Sequence, residues 1–84
     1  MVSVLFFARI REQLGVDRLS LALPQESITL SQFKQHLVDN HSPDWSTILM
    51  ADNVIGAVNQ QVVDGSYSIK QGDEIAFFPP VTGG

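Results

Sequence analysis

No cysteine occurs anywhere in the 84 residues, which removes disulfides, thiolate metal sites and thiol nucleophiles from consideration. Positive charge is scarce as well: five Lys and Arg stand against nine Asp and Glu, for a net charge of −4. The five, Arg9, Arg11, Arg18, Lys34 and Lys70, are scattered along the chain, and the only close pair, Arg9 and Arg11, is followed by Glu12 and Asp17. Phosphate binding wants such residues gathered into a patch, so no nucleic-acid partner is expected. The acidic balance points instead to partners with basic surfaces. Long apolar runs are missing too. Residues 2–8 are apolar apart from Ser3, but no basic segment precedes them, and Arg9 and Arg11 interrupt them. That stretch is neither a signal sequence nor close to the ~20 residues that cross a bilayer. A cytoplasmic protein without a membrane segment is expected. What remains is a composition of 44% hydrophobic and 17% charged residues, that of a globular chain. Its length admits one small domain, able to bury ~60% of the surface that the unfolded chain exposes.

Residues 2–8 are rich in β-branched and aromatic side chains and predict a strand. Residues 9–14 suit a short helical turn closed by Gly15. Leu19, Leu21 and Leu23 alternate with Arg18, Ser20 and Ala22, the period of a half-buried strand, which Pro24 ends. Thr29 and Gln32 then fit a capping box, with Ile28 and Phe33 placed as a hydrophobic staple. Leu30, Phe33, Leu37 and Val38 recur at helical spacing while Ser31, Gln32, Lys34, Gln35 and Asp39 face water, and residues 40–43 stop the helix. Residues 44–50 predict a second short helix, capped by Asp44, with Trp45, Ile48 and Leu49 inward. Residues 54–59 and Val62-Val63 read as strands flanking Gln60-Gln61, with turns at Asp64-Gly65 and Gln71-Gly72-Asp73. Residues 74–78 form a last strand, ended by Pro79-Pro80. Two strands, one main helix and several further strands, the last apolar enough to be central, give an α+β fold. It is a mixed sheet packed on one helix, a β-grasp, as a single domain over residues 1–84 with a flexible tail over 79–84.

Phe6-Phe7 and Phe77-Phe78 are adjacent pairs in strands, where successive side chains point to opposite faces. Val4, Phe6, Ile75 and Phe77 share a parity and form the expected buried set. Leu5, Phe7 and Phe78 are left on the outer face, with Val62 beside them. Two aromatic rings on one exposed sheet face predict a docking surface for a partner protein.

The usual catalytic constellations are absent. His36 falls on the polar face of the main helix and His41 in its exit loop; five residues apart, without a cysteine or a close carboxylate pair, they make a poor metal site, and no metal is expected. Asp73-Glu74 reads as turn chemistry. Gly83-Gly84 is no phosphate loop, since no helix follows it. One reactive group remains, the carboxylate of Gly84. Pro79-Pro80-Val81-Thr82-Gly83-Gly84 leaves the last strand through a stiff diproline step and ends in two residues without side chains. Such a tail can thread a narrow channel, and the missing Cβ leaves the terminal carbonyl open to attack. A carboxylate is a poor electrophile and first needs activation, for instance as an acyl-adenylate. On Gly-Gly alone, an ordinary frayed terminus is an equal alternative.

The whole chain resembles one family closely. Val4-Leu5-Phe6-Phe7-Ala8, Arg11-Glu12, Ala57-Val58-Asn59-Gln60 and the block from Gly72-Asp73-Glu74 through Phe77-Phe78-Pro79-Pro80 to Thr82-Gly83-Gly84 look like the small, sulfur-carrying subunits of molybdopterin synthase. These are ubiquitin-like β-grasp proteins. The resemblance implies that a ubiquitin-activating-type adenylyltransferase uses ATP to convert the Gly84 carboxylate to an acyl-adenylate. A persulfide sulfur from a donor such as a cysteine desulfurase would then leave a thiocarboxylate. The tail, with Val81, Thr82 and Gly83 leading to Gly84, would insert into the large synthase subunit, where the sulfur attacks the cyclic pyranopterin precursor of the molybdenum cofactor. A heterotetramer of two small and two large subunits is implied, as is a carrier that binds no cofactor and lacks catalytic machinery of its own. Phe7, Val62 and Phe78 match hydrophobic positions that the family sets against its partners, although Val62 is smaller than the leucine expected there. Thiamine-type sulfur carriers and ubiquitin-like protein modifiers share the activated tail and stay open as alternatives.

Overall fold

The computed structural model describes residues 1–80. In β1 (Val2–Phe6) the alternation is clean: Val2, Val4 and Phe6 are buried, Ser3 is exposed and Leu5 half-buried. The chain turns at Phe7 into α1 (Ala8–Leu14), which buries Ile10. Gly15 ends this helix at φ 74°, a left-handed conformation in which its N–H reaches back to the Arg11 carbonyl. β2 (Arg18–Leu21) pairs antiparallel with β1, Leu19 opposite Val4 and Leu21 opposite Val2. The leucine alternation predicted a strand as far as Leu23. Pairing stops at Leu21 because β1 begins at the opposite residue, Val2, and Leu23 is buried beyond the strand.

β3 (Ser27–Thr29) leads directly into α2 (Leu30–Asp39). The predicted capping box is present: the Gln32 N–H donates to Thr29 Oγ1 at 3.1 Å, and the Thr29 N–H donates to Gln32 Oε1 at 2.9 Å. The amides of Leu30 and Ser31 donate to the carbonyls of Tyr67 and Gly65 at 2.9 and 3.0 Å. Donors that a helix start leaves without intrahelical partners are therefore met by a turn distant in sequence. α3 (Asp44–Leu49) buries Trp45 and Leu49 and half-buries Ile48. Its cap position is Pro43 rather than Asp44, which is already helical and whose N–H donates to Ser42 Oγ at 3.3 Å.

The remaining strands are β4 (Ile55–Val58), β5 (Gln61–Val63), β6 (Ser68–Lys70) and β7 (Glu74–Phe78). β4 and β5 form a hairpin whose two-residue turn is Asn59-Gln60, one residue earlier than the predicted Gln60-Gln61. Both turn residues have positive φ, 51° and 70°, as a hairpin turn matched to strand twist requires. β3 and β6 form a separate antiparallel pair, with buried Ile28 opposite buried Ile69. That pair has no counterpart in the sequence reading, since three residues with one apolar side chain carry no readable period.

The main sheet has the order β2-β1-β7-β4-β5. The last strand is central, parallel to β1 and antiparallel to β4. With α2 across one face this is the expected β-grasp. The core joins Val4, Phe6, Val58, Ile75 and Phe77 of the sheet to Ile10, Phe33, Leu37, Trp45 and Leu49 of the helices. Phe6 stacks on Phe77 at 6.0 Å between ring centroids and meets Trp45 edge-on at 5.7 Å. Gly56 faces this core, and a Cβ there would come within 2.7 Å of Leu30 Cδ2, so the residue lets the start of α2 sit close to the sheet. No helix of the described residues is long and apolar enough to cross a membrane.

Candidate functional site

The register of the sheet builds the other face. Arg18, Leu5, Ala76, Ala57 and Val62 stand opposite one another in a single row across all five strands. The middle of the row is floored by two alanines, and larger side chains rise around it. Phe7 and Phe78 meet at 5.8 Å between ring centroids on the side where β7 runs out toward Pro79. Val62 stands at the far edge with 71% of its surface exposed, and Phe7 is 41% exposed. Together they enclose a hollow of about 510 Å³ with Glu74 and Gln60 at its polar end. Leu5, Phe7 and Phe78, the side chains assigned to the outer face by strand parity, and Val62, expected beside them, all line this one hollow. Phe7 does so from the junction after β1 rather than from within the strand.

The polar end is fixed by a hydrogen-bonded clamp. The Asn59 N–H donates to the Glu74 carbonyl at 2.8 Å, and the Glu74 N–H donates to Asn59 Oδ1 at 3.0 Å. Asn59 Nδ2 donates to Asp73 Oδ1 at 3.0 Å, while Asp73 Oδ2 accepts from the Lys70 N–H at 3.0 Å. The β4–β5 turn is thus tied to the start of β7, and Val62, Gln60 and Glu74 are held in one geometry. Sequence reasoning assigned Asp73-Glu74 no role beyond turn chemistry, while placing Glu74 at the start of the last strand. Glu74 is indeed the first residue of β7, and its side chain lies half-buried in the hollow, a role the sequence reading missed. Its shared parity with Ala76 and Phe78 was the available signal.

Val81, Thr82, Gly83 and Gly84 lie outside the described residues. The chain reaches them through Pro79 and Pro80, both half-buried, which border a second, smaller hollow of about 270 Å³ between α1 and α3, beside Arg9 and Asn53. The apolar face therefore ends where the tail begins.

The histidines belong to the other end of α2. Asn40 Nδ2 lies 3.2 Å from His36 Nδ1 and donates to the His36 carbonyl at 2.8 Å. His41 stacks on Trp45 at 4.2 Å between centroids, with its Nδ1 2.8 Å from the Leu37 carbonyl. Both thus help to close the helix. No group of three or more metal-ligating side chains occurs among the described residues. The two displaced ionisations also lie away from the hollow. The Ser66 hydroxyl and N–H hold the Asp64 carboxyl below its ordinary value, and burial lowers Lys34, against the opposing pull of Asp52.

Residues 4–84 match the family model described as the ThiS family. The molybdopterin synthase sulfur carrier subunit of Escherichia coli (strain K12) is 40% identical over 84 residues, which is 100% of both chains. Among solved structures, SAMP1 from Haloferax volcanii is similar with a TM-score of 0.82 at 24% identity, covering 99% of this chain and 98% of that one. A chain in the complex of subunits 1 and 2 of molybdopterin-converting factor from Helicobacter pylori is similar with a TM-score of 0.66, also at 24% identity, covering 99% and 97%. These two likenesses bear on the fold.

Proposed function

The chain belongs to the ThiS family, and from that premise we propose that it is the sulfur carrier subunit of a molybdopterin synthase. A ubiquitin-activating-type adenylyltransferase joins the Gly84 carboxylate to AMP, using ATP and releasing pyrophosphate. A persulfide from a cysteine desulfurase or a related donor attacks the acyl carbon and AMP leaves. Cleavage of the S–S bond by a thiol then frees the thiocarboxylate. Val81, Thr82, Gly83 and Gly84 enter the large subunit, where the sulfur attacks the cyclic pyranopterin precursor. A dithiolene needs two sulfurs, so two carriers are used for each product, in keeping with a heterotetramer of two small and two large subunits. Phe7, Val62 and Phe78 dock on these partners in the cytoplasm. The carrier contributes a substrate-like tail and a docking face, while ATP and the catalytic groups belong to the enzymes it visits. The absence of cysteine fits this division, because the sulfur has no side chain to ride on.

The observation that carries this reading is the full-length match to the Escherichia coli sulfur carrier subunit, with no part of either chain left over. Incubating the purified protein with the activating enzyme, ATP and a sulfur donor is expected to raise its mass by one oxygen-to-sulfur exchange at Gly84. No exchange, with components that load a known carrier, overturns the reading. Deleting Gly84 is expected to abolish the exchange and leave the unfolding curve in place. Isopeptide adducts on lysines of other proteins, in place of the thiocarboxylate, would make the chain a protein modifier instead.

A further inference from the structure

We propose that Glu74 is a specificity residue of the docking face, and that the partner segment seated in the hollow is apolar and carries one basic side chain to meet it. The inference rests on the reading of the face as the large subunit's docking site. The chemistry of the occupant follows from the floor of the hollow. Leu5, Phe7, Phe78, Val62 and the two alanines call for an apolar cover, yet the same cover would also close over Glu74. A carboxylate sealed under apolar surface without a partner is strongly unfavourable, whereas a cation placed against it restores the balance and selects for the protein that brings one. Among the described residues no side chain hydrogen-bonds to the Glu74 carboxylate; the Asn59 contacts hold only its backbone. The backbone of Glu74 is therefore held in place, and its half-buried carboxylate is left open toward whatever docks.

Its position also gives the site a direction. Glu74 and Phe78 lie on one face of β7 at opposite ends of the strand, about 13 Å apart at strand rise. A docked segment with its cation at Glu74 and its apolar side chains against Phe7 and Phe78 lies one way only, apolar end toward the tail. Docking polarity and tail delivery are then set by the same strand.

Glu74→Gln tests this, because it keeps side-chain length and every backbone bond to Asn59 while removing the charge. Wild type and variant are titrated calorimetrically against the isolated large subunit at low and high salt. The variant is expected to bind at least about tenfold more weakly. Raised salt should weaken the wild type, with the variant almost insensitive to it. Glu74→Asp should retain part of the salt dependence. Equal affinities for wild type and Glu74→Gln, with an unchanged unfolding midpoint, overturn the inference. So does a Glu74→Gln variant that binds more tightly. Failure of the sulfur-carrier reading shows elsewhere, as no thiocarboxylate at Gly84 under loading conditions.

Discussion

Within β7, Ile75 and Phe77 are fully buried, whereas Ala76 and Phe78, each one residue along, stay half-buried on the opposite face. From Ile75 onward the strand is apolar on both sides, and what separates its two sets of residues is the layer above them. Helices α1, α2 and α3 close one face into a core; the other is left to water, with a phenylalanine pair standing over two alanines. An apolar face kept exposed on a small domain lacks the reason for its apolarity inside the molecule, and the docking role proposed above would supply one. On that proposal the same composition serves stability on one side and recognition on the other.

The largest effect that would break this contrast is on the covered side. Phe77→Ala removes a ring packed against Phe6 at the centre of the core and is expected to cost about 3–5 kcal/mol in urea unfolding, a large share of the stability of a small domain. A loss below about 1 kcal/mol would mean that the covered face is not where stability resides. Phe7→Lys and Phe78→Lys, on the open side, are expected to change stability by no more than about 1 kcal/mol while weakening capture by the large subunit at least about tenfold. Collapse of either variant would return that ring to the core.

A smaller effect, of opposite sign, comes from the rim. Gln60 holds φ 70° in the hairpin turn. A left-handed L-residue costs roughly 1–2 kcal/mol, and glycine gives back about 0.5–1 in chain entropy. Gln60→Gly is therefore expected to stabilise the domain slightly, a gain read as a higher melting temperature. The smallest effect belongs to Lys34, whose Nζ lies 6.0 Å from the centroid of the Phe77 ring. Burial lowers its pKa from 10.5. Between the lowered value and 10.5 the unfolded chain binds a proton that the folded one has released, so stability should rise with pH across that window. Lys34→Met is expected to flatten the rise, as measured by urea midpoints in alkaline buffers.

The sequence was most legible where local pattern and tertiary demand coincide. β7 has the predicted limits, and the capping box at Thr29 and Gln32 fixes the start of α2. Strand parity alone separated Phe6 and Phe77 from Phe7 and Phe78. Legibility failed where a residue's role depends on something far along the chain. Ile28 and Ile69 pair across short strands, and Asn59 reaches Asp73 and Glu74 over 14 and 15 residues. No window of local sequence contains both ends of such contacts. Glu74 was placed correctly as the first residue of the last strand, but its part in the hollow was missed, because that depends on Gln60 and Val62 of the neighbouring hairpin.

The central place of β7 has a consequence for how the protein is made. The first strand must wait for the last, because β1 and β4 each pair with β7 and not with one another. A chain ending before residue 74 lacks the strand that joins the β1–β2 pair to the β4–β5 pair. Closing the sheet is a long-range event, of the kind that slows folding. It can occur only once residues 74–78 are present to pair. Possession of β7 is thereby a condition of closing the sheet, and a copy cut short of it lacks the strand that joins its two halves.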